Sequence, residues 1–285
     1  LTLCFILVAS LGCTAANQDE PEKNKESKAT TIMQDFQSLS QQEATLEEIA
    51  NFINNNISQV AKEDASTMVN EFEEMQKEQL AQFEAMFSPD AMQTKLAEEY
   101  PAIAKQEAVK DPELKALLDK TNNSGYKVET AEGSFFPIID YQFYEKFSAY
   151  VTTDSQDYIH IMAVESKQVP AKDAALVIGW DEILQRAQNQ EKFLITHKNS
   201  VKANEIKNLY QKYVTFTLYG ANNTPLFSYE TNTLNPKAKE IYLAASKNPG
   251  NSEYLKMLSL YLEVLAKNNF VLTEEVKQYR DQISK

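Results

Sequence analysis

The stretch TLEEIANFINNNISQV, residues 45–60, decides the fold class. Thr45 followed by Glu48 is a capping-box pattern. The threonine hydroxyl can accept from the Glu48 amide while the glutamate reaches back to the Thr45 N–H, satisfying two donors that a helix start leaves free. Leu46, Ile49, Ile53, Ile57 and Val60 follow at spacings of three and four, which places them on one face of an α-helix. The same periodicity spreads outward. Upstream, Ile32, Met33, Phe36 and Leu39 predict a short first helix. Downstream, Ala61, Ala65, Met68, Phe72, Met75, Leu80, Phe83 and Phe87 continue the pattern without Gly or Pro, and a continuous helix over 58–87 would be about 45 Å long.

Further along, breaks and starts come in pairs. Ser88-Pro89 reads as a stop and a new start, with Ser88 as N-cap and Pro89 at the first helical position. Asp111-Pro112 repeats the device and opens a helix carrying Leu114, Leu117 and Leu118. Thr121-Asn122-Asn123-Ser124-Gly125 ends it. Helical periodicity lapses over 121–136, where Gly125 and Gly133 fall, so the internal boundary is expected there. It separates a charged, Met-rich helical region, 31–120, from an aromatic-rich helical region, 137–285. The two are either separate domains or parts of one continuous domain.

In the second region 138–150 and 154–166 are expected as helices, the latter capped by Asp154. Pro170 breaks the chain, and another helix runs through Trp180, Ile183, Leu184 and Ala187. Residues 203–219 carry two patterns: Ile206, Leu209, Tyr210 and Tyr213 have helical spacing, whereas Val214 to Tyr219 alternate like a strand. A helix ended by Gly220 is favoured over a hairpin with 226–231. Asn235-Pro236 starts a helix with Ile241 and Tyr242. Tyr254, Leu255, Leu258, Tyr261, Leu262 and Leu265 mark the clearest amphipathic helix, and Thr273 caps a last one through Val276, Tyr279 and Ile283. The expected fold is all-α, an irregular multi-helix bundle or array, with a small β-hairpin near 213–231 as the local alternative.

Composition narrows the function classes. The chain has 285 residues, 43% of them hydrophobic, with 14 Phe and 14 Tyr, enough for a sizeable core. Its net charge of −13 lies wholly after residue 13. Such a surface is repelled by phosphate backbones and anionic headgroups, which argues against nucleic-acid binding.

The N-terminal run LTLCFILVASLGC, residues 1–13, carries no charge and is followed by the polar TAANQDEPEKNKESKAT, residues 14–30. The apolar run has the length of a signal-peptide core and is shorter than the roughly 20 residues of a bilayer span. With Gly12-Cys13 at its end it resembles the bacterial lipoprotein class. The match is confined to this segment, and Ser10 stands where the class prefers Leu. The resemblance implies that 1–12 is a removed signal segment and Cys13 the lipidated first residue. It further implies a flexible tether over 13–30 and a protein anchored to the cell membrane on its extracytoplasmic side. An ordinary secretory signal cleaved near Thr14-Ala15-Ala16 is the alternative. Cys4 would leave with the signal and Cys13 would carry lipid, so disulfides, thiolate metal sites and a cysteine nucleophile drop out.

Motifs for chemistry are sparse. There are two histidines. His160 sits among apolar residues and is expected to be semi-buried. Glu165, five residues on, lies about 140° around a helix from it, which disfavours a local metal pair. His197 falls in a polar stretch and is expected to be exposed. No signature of a nucleotide loop, metalloprotease or serine hydrolase is present. The aromatic stretch from Gly133 to Tyr144, together with Trp180-Asp181-Glu182, suggests an aromatic, acidic pocket for sugars, amines or peptides. Its candidate ligand-binding residues are Asp140, Tyr141, Tyr144, His160 and Trp180. The competing reading makes these aromatics core and Asp140 a helix cap. No catalytic residue, metal ligand or cofactor is expected.

The leading functional expectation is a lipid-anchored extracytoplasmic helical protein acting in binding or assembly at the cell envelope. A protein partner would dock through the Met- and Phe-rich helix 58–87, unless that stripe packs within the bundle. The alternatives are a secreted hydrolase of wall polymer or peptide using acids near Asp140, Glu165 or Asp181, and a small-ligand module with an aromatic acidic pocket.

Overall fold

The structure, a computed structural model, describes residues 20–284 apart from 43 and 106, with side chains from Glu26 onward. The expected signal segment, the lipidation residue Cys13 and the tether up to residue 19 lie outside the described residues. The rest is predominantly helical: α1 (Glu20–Gln41), α2 (Leu46–Asn56), α3 (Lys62–Phe87), α4 (Asp90–Ala104), α5 (Pro112–Asn123), a hairpin of β1 (Tyr126–Ala131) and β2 (Ser134–Ile139), the short α6 (Tyr141–Tyr144), and α7 (Thr153–Lys167). A two-residue hairpin of β3 (Ala171–Lys172) and β4 (Ala175–Leu176) leads to α8 (Trp180–Thr196) and α9 (Ala203–Tyr219). A third hairpin, β5 (Gly220–Ala221) and β6 (Thr224–Pro225), precedes α10 (Pro236–Ala245), α11 (Glu253–Lys267) and α12 (Glu274–Ile283). The fold is all-α with small antiparallel hairpins. Among the described residues no helix is long and apolar enough to cross a membrane.

Two large clusters and one small one form the core. The first gathers Phe36, Ile49, Ile53, Phe72, Tyr126, Tyr144 and Tyr158 from α1 to α3, the long hairpin, α6 and α7. The second gathers Ile183, Leu184, Tyr213, Leu226, Tyr242, Leu258 and Val276 from α8 to α12. The third lies between α4 and α5, where Met92 and Leu96 meet Leu114 and Leu118. Helix α8 serves both large clusters, giving Ile183 and Ala187 to the second and Phe193 to the first.

Several sequence signals take the form expected. Thr45 Oγ1 accepts from the Glu48 amide at 3.2 Å and Glu48 accepts from the Thr45 amide at 2.8 Å. Asp111, Asn235 and Thr273 cap α5, α10 and α12 through their side chains. Residues 203–219 are helical, and Gly220 ends them at φ +74°. The hairpin alternative contracts to β5 and β6.

Other expectations need correction. The helix expected over 58–87 begins only at Lys62, after a 3₁₀ turn and an extended Val60 and Ala61. The Asn54-Asn55-Asn56 run explains the break. Asn is a weak helix former because its amide competes for the backbone, and here Asn56 Nδ2 donates to Phe52 O while Gln59 Nε2 donates to Asn55 O, both at 2.9 Å. Ser88 closes α3 by donating to Glu84 O rather than capping the next helix, and Pro89 takes the N-cap position of α4. At α7 the N-cap residue is Thr152, with Asp154 in the first turn. Helix α1 starts at Glu20, inside the segment expected as tether. Its Glu, Lys and Ala residues favour helix.

The largest correction concerns 121–139. Residues 134–139 pair with 126–131 in the register Tyr126↔Ile139, Val128↔Pro137 and Ala131↔Ser134, so Ile138 and Ile139 belong to a strand and not to a helix over 138–150. Pro137 disfavours a helix interior and is tolerated in an edge strand. Glu132 and Gly133, both at positive φ, make the tight turn that matches strand twist. The hairpin is not a gap between cores. Tyr126 packs tilted against Phe83 with ring centroids 4.5 Å apart, and Tyr144 against Phe72 at 5.7 Å, so residues from both sides of 121–136 share the first cluster.

Candidate functional site: a cleft between α7 and α8

Helix α7 buries Ser155, Tyr158, Ile159 and Ala163, and α8 buries Ile183, Leu184 and Ala187. Each helix therefore turns an adjacent row toward the other. On α7 the row is Asp157, His160, Ile161, Val164 and Glu165; on α8 it is Arg186, Asn189, Gln190 and Phe193. Spacings of three and four keep each row on one helix face. Between the rows lies a cleft of about 230 Å³.

The floor of the cleft is polar and buried. Gln190 is fully buried, and neither its Oε1 nor its Nε2 has a hydrogen-bond partner among the described residues. Beside it Arg186, 4% exposed, is fully engaged. Its Nη1 donates to Gln168 O at 2.9 Å and to the Tyr213 hydroxyl at 3.1 Å, and its Nε donates to Glu182 at 3.0 Å. Glu165 accepts from the Tyr213 hydroxyl at 2.7 Å and stands 3.5 Å from Arg186. This group ties α7, α8 and α9 together under the cleft.

Phe193, Ile161 and Val164 supply apolar walls, Val164 being 44% exposed. His160, Asn189 and Lys192 stand at the exposed rim. At one end His197 Nε2 meets Asp157 Oδ2 at 2.8 Å, and its ring lies 5.0 Å from that of Phe193.

Charge at the cleft is balanced, with Asp157 and Glu165 against Arg186 and Lys192. Burial raises the Glu165 carboxyl above its ordinary value, against the opposing pull of the Tyr213 hydrogen bond and the Arg186 charge. Burial also works against the charge on Arg186, but Glu182, Tyr213 and Glu165 outweigh it and the guanidinium stays firmly protonated. Among the described residues no group of three or more His, Cys, Asp or Glu side chains is placed to hold a metal ion.

The five ligand-binding candidates from the sequence do not come together. Asp140 caps α6 by accepting from the Gln142 amide at 3.1 Å. Tyr141 and Tyr144 stack at 5.5 Å in the first core, their hydroxyls donating to Glu73 and Gln76 of α3. Trp180 packs edge-on to Tyr242 at 6.0 Å in the second core. Among the described residues these rings belong to two different cores and do not line one common pocket. Of the five, His160 alone lines the cleft, and it is exposed rather than semi-buried since the buried row of α7 passes through Tyr158, Ile159 and Ala163. His197 departs from its expected exposure too: its side chain is 10% exposed, covered by Asp157 and Phe193.

Sequence reasoning missed Arg186, Gln190 and Phe193. A usable signal existed: the α8 stripe of Trp180, Ile183, Leu184 and Ala187 continues to Gln190, a polar residue where the period calls for an apolar one. Most of the Met- and Phe-rich stripe of α3 is spent in packing: Met68, Phe72, Phe83 and Phe87 are buried, and Met75 and Leu80 lie half-buried against the first core.

Comparison with protein-family models, with curated proteins and with solved structures finds no match to this chain.

Proposed function

We propose that this chain is a binding protein, held by lipid on Cys13 at the extracytoplasmic face of the cell membrane, whose α7–α8 cleft captures a small ligand. The observation that carries the binding reading is the cleft itself, about 230 Å³ between α7 and α8, with Ile161, Val164 and Phe193 beside Asp157, Glu165, Arg186 and Lys192. Apolar walls around a few polar groups are also the usual make-up of a ligand pocket.

The hydrolase reading has less support. It needs two carboxylates about 5–9 Å apart, whereas the cleft's two, Asp157 and Glu165, lie eight residues apart on α7, a rise of about 12 Å, and are taken up by His197 and by Tyr213 with Arg186; neither Asp140 nor Asp181 lines the cleft. Docking of a protein partner through α3 has less support as well, because most of its apolar stripe is buried and Met75 and Leu80 pack half-buried against the first core. The anchor rests on the Gly12-Cys13 pair at the end of an uncharged run, and the two acyl chains of a diacylated cysteine suffice for stable attachment.

Two measurements test the proposal. The first is a thermal-shift screen of small charged and uncharged molecules on the full chain, beside a Val164→Trp variant that fills the cleft from an exposed position. Stabilisation by some molecule in the wild type, lost in the variant, supports binding at the cleft; a screen without any stabilising molecule counts against it. The second is the intact mass of membrane-extracted protein beside Cys13→Ala. A diacylated Cys13 that vanishes in the variant together with membrane retention supports the anchor, and an unmodified chain starting near Ala16 removes it.

A further inference from the structure

On the binding reading above, the charged side chains of the cleft narrow what it can hold. Three of the four already have partners. Asp157 meets His197 at 2.8 Å. Glu165 accepts from the Tyr213 hydroxyl and stands 3.5 Å from Arg186, and Arg186 donates further to Glu182, Gln168 O and Tyr213. The fourth, Lys192, is exposed and makes no ion pair among the described residues. Its own helix supplies none, since the residues three and four away, Gln188, Asn189, Ile195 and Thr196, are uncharged. The adjacent Glu191 is buried and engaged with α11, where it accepts from the Ser252 hydroxyl and the Tyr254 amide.

Helices α7 and α8 run antiparallel, because Asp157 meets His197 at the end of α8 while Glu165, further along α7, meets Arg186 nearer the start of α8. Counted from the Asp157–His197 contact, His160 lies three residues along α7, about 4.5 Å, and Lys192 five residues back along α8, about 7.5 Å. The two are therefore exposed on facing helices within one turn of the same level. An imidazole keeps a ring N–H in either tautomer, so this level offers donors from both sides. Ile161 follows His160 directly, and Val164, 44% exposed, lies one turn beyond it, which places apolar surface next to an anion held there. A single carboxylate matches the one unpaired cation. A phosphate monoester, with about −1.5 to −2 charge, would exceed it and face the Asp157 carboxylate as well. The volume of about 230 Å³ falls below the roughly 300–1,000 Å³ of pockets for drug-sized molecules, which limits the bound portion to a fragment.

We infer that the cleft binds a carboxylate monoanion with a short branched aliphatic group, the carboxylate between Lys192 and His160 and the aliphatic group on Ile161 and Val164. Two sources share this chemistry: a free short-chain carboxylic acid, and the C-terminal end of a peptide whose last residue is aliphatic.

The test is titration calorimetry on the full chain with four probes: 4-methylpentanoate, N-acetyl-leucine, 4-methylpentanamide and 4-methylpentylamine. The expected result is binding of at least one carboxylate, with the amide weaker by about tenfold or more, as for loss of a charged hydrogen bond, and the amine weaker still. Tighter binding of 4-methylpentanoate assigns the site to free acids, and tighter binding of N-acetyl-leucine assigns it to peptide ends. Lys192→Met should bind 4-methylpentanoate and its amide alike, whereas Lys192→Arg should keep the preference. Equal affinity for carboxylate and amide in the wild type, tighter binding of the amine, or a carboxylate preference that persists in Lys192→Met overturns the inference. If none of the four probes binds while the wider screen finds a molecule that loses its effect in Val164→Trp, the carboxylate inference falls and the binding reading stands. If neither experiment finds a ligand, both fall.

Discussion

Glu73 Oε2 on α3 and Lys202 Nζ at the start of α9 stand 2.6 Å apart, with their side chains 2% and 4% exposed. The pair joins parts of the chain 129 residues apart, and its other valences are filled. The Tyr141 and Tyr158 hydroxyls donate to Glu73 Oε1 at 2.5 and 2.6 Å, and Lys77 approaches the same oxygen at 3.1 Å. Glu205 completes the group, 3.1 Å from Lys77 and 2.8 Å from the Tyr158 hydroxyl. Because Tyr158 belongs to α7, the network holds the first core against the helix that carries the upper wall residues of the cleft. A buried ion pair does not by itself add stability over an apolar pair, but losing one member strands the other.

Glu73→Gln is therefore expected to destabilise the protein by about 3 kcal/mol, since Lys202 is left buried with only the more distant Glu205 and Glu74. Adding Lys202→Met should recover much of that loss, the sign of direct coupling between neighbours. Urea unfolding of the two single variants and the double variant measures it. A Glu73→Gln loss below about 1 kcal/mol would mean that the network contributes no more than a surface pair.

The same carboxylate predicts a pH dependence. Burial pushes Glu73 up, but the Lys202 charge and the hydrogen bonds from Lys202, Tyr141 and Tyr158 outweigh it and hold the group below its ordinary 4.5. A lowered folded value gives stability that is present above the unfolded value and is lost as pH falls through the folded one. The stability gap between wild type and Glu73→Gln should thus hold steady above about pH 5 and close below pH 4.5. Glu165, raised by burial, works in the opposite sense on absolute stability, but it is present in both proteins and cancels from the gap. A gap that stays constant from pH 7 to pH 3 would contradict the assignment for Glu73.

Gln190→Leu should raise stability in the absence of ligand by about 1 kcal/mol, because an apolar side chain of similar size replaces a buried amide with unmet bonds. Thermal and urea unfolding read the change. A loss of stability instead would mean that the Gln190 amide makes bonds to trapped water in the folded state that leucine cannot replace.

Local chemistry explains what could be read from the sequence. The Thr45–Glu48 box, the caps at Asp111, Asn235 and Thr273, and the apolar stripes of α2 and α11 depend on residues within one or two turns, and each was legible. The long hairpin was not, because Phe135, Phe136, Ile138 and Ile139 have no strict alternation and its turn uses Glu132, not a usual positive-φ residue. Pro137 was the overlooked warning. The cleft was less legible still. Its floor depends on Glu165, Arg186 and Tyr213 meeting from three helices, a long-range arrangement that no spacing rule encodes. His160 lines the cleft but is exposed where a semi-buried residue was expected, and Tyr141, Tyr144 and Trp180 went to the cores that aromatic side chains most often fill.

Gly220 separates two costs that substitutions at glycine usually mix. It ends α9 at φ +74° and ψ −148°, a region open essentially to glycine alone. A Cβ there would stand 2.3 Å from Thr224 O and 2.7 Å from Leu226 N, both backbone atoms that cannot swing aside. Gly133, at φ +77°, has nothing within 4 Å of a Cβ. Gly133→Ala should then cost only the left-handed penalty of about 1–2 kcal/mol. Gly220→Ala adds the clash to a strain of about 1–3 kcal/mol, and shifts the β5–β6 turn that delivers Leu226 to the second core. Urea unfolding should rank the two variants in that order, with Gly220→Ala the worse. Equal losses would mean that the turn relaxes around the new methyl, so that Gly220 serves as a helix stop rather than as the point where α9 is locked to the second core.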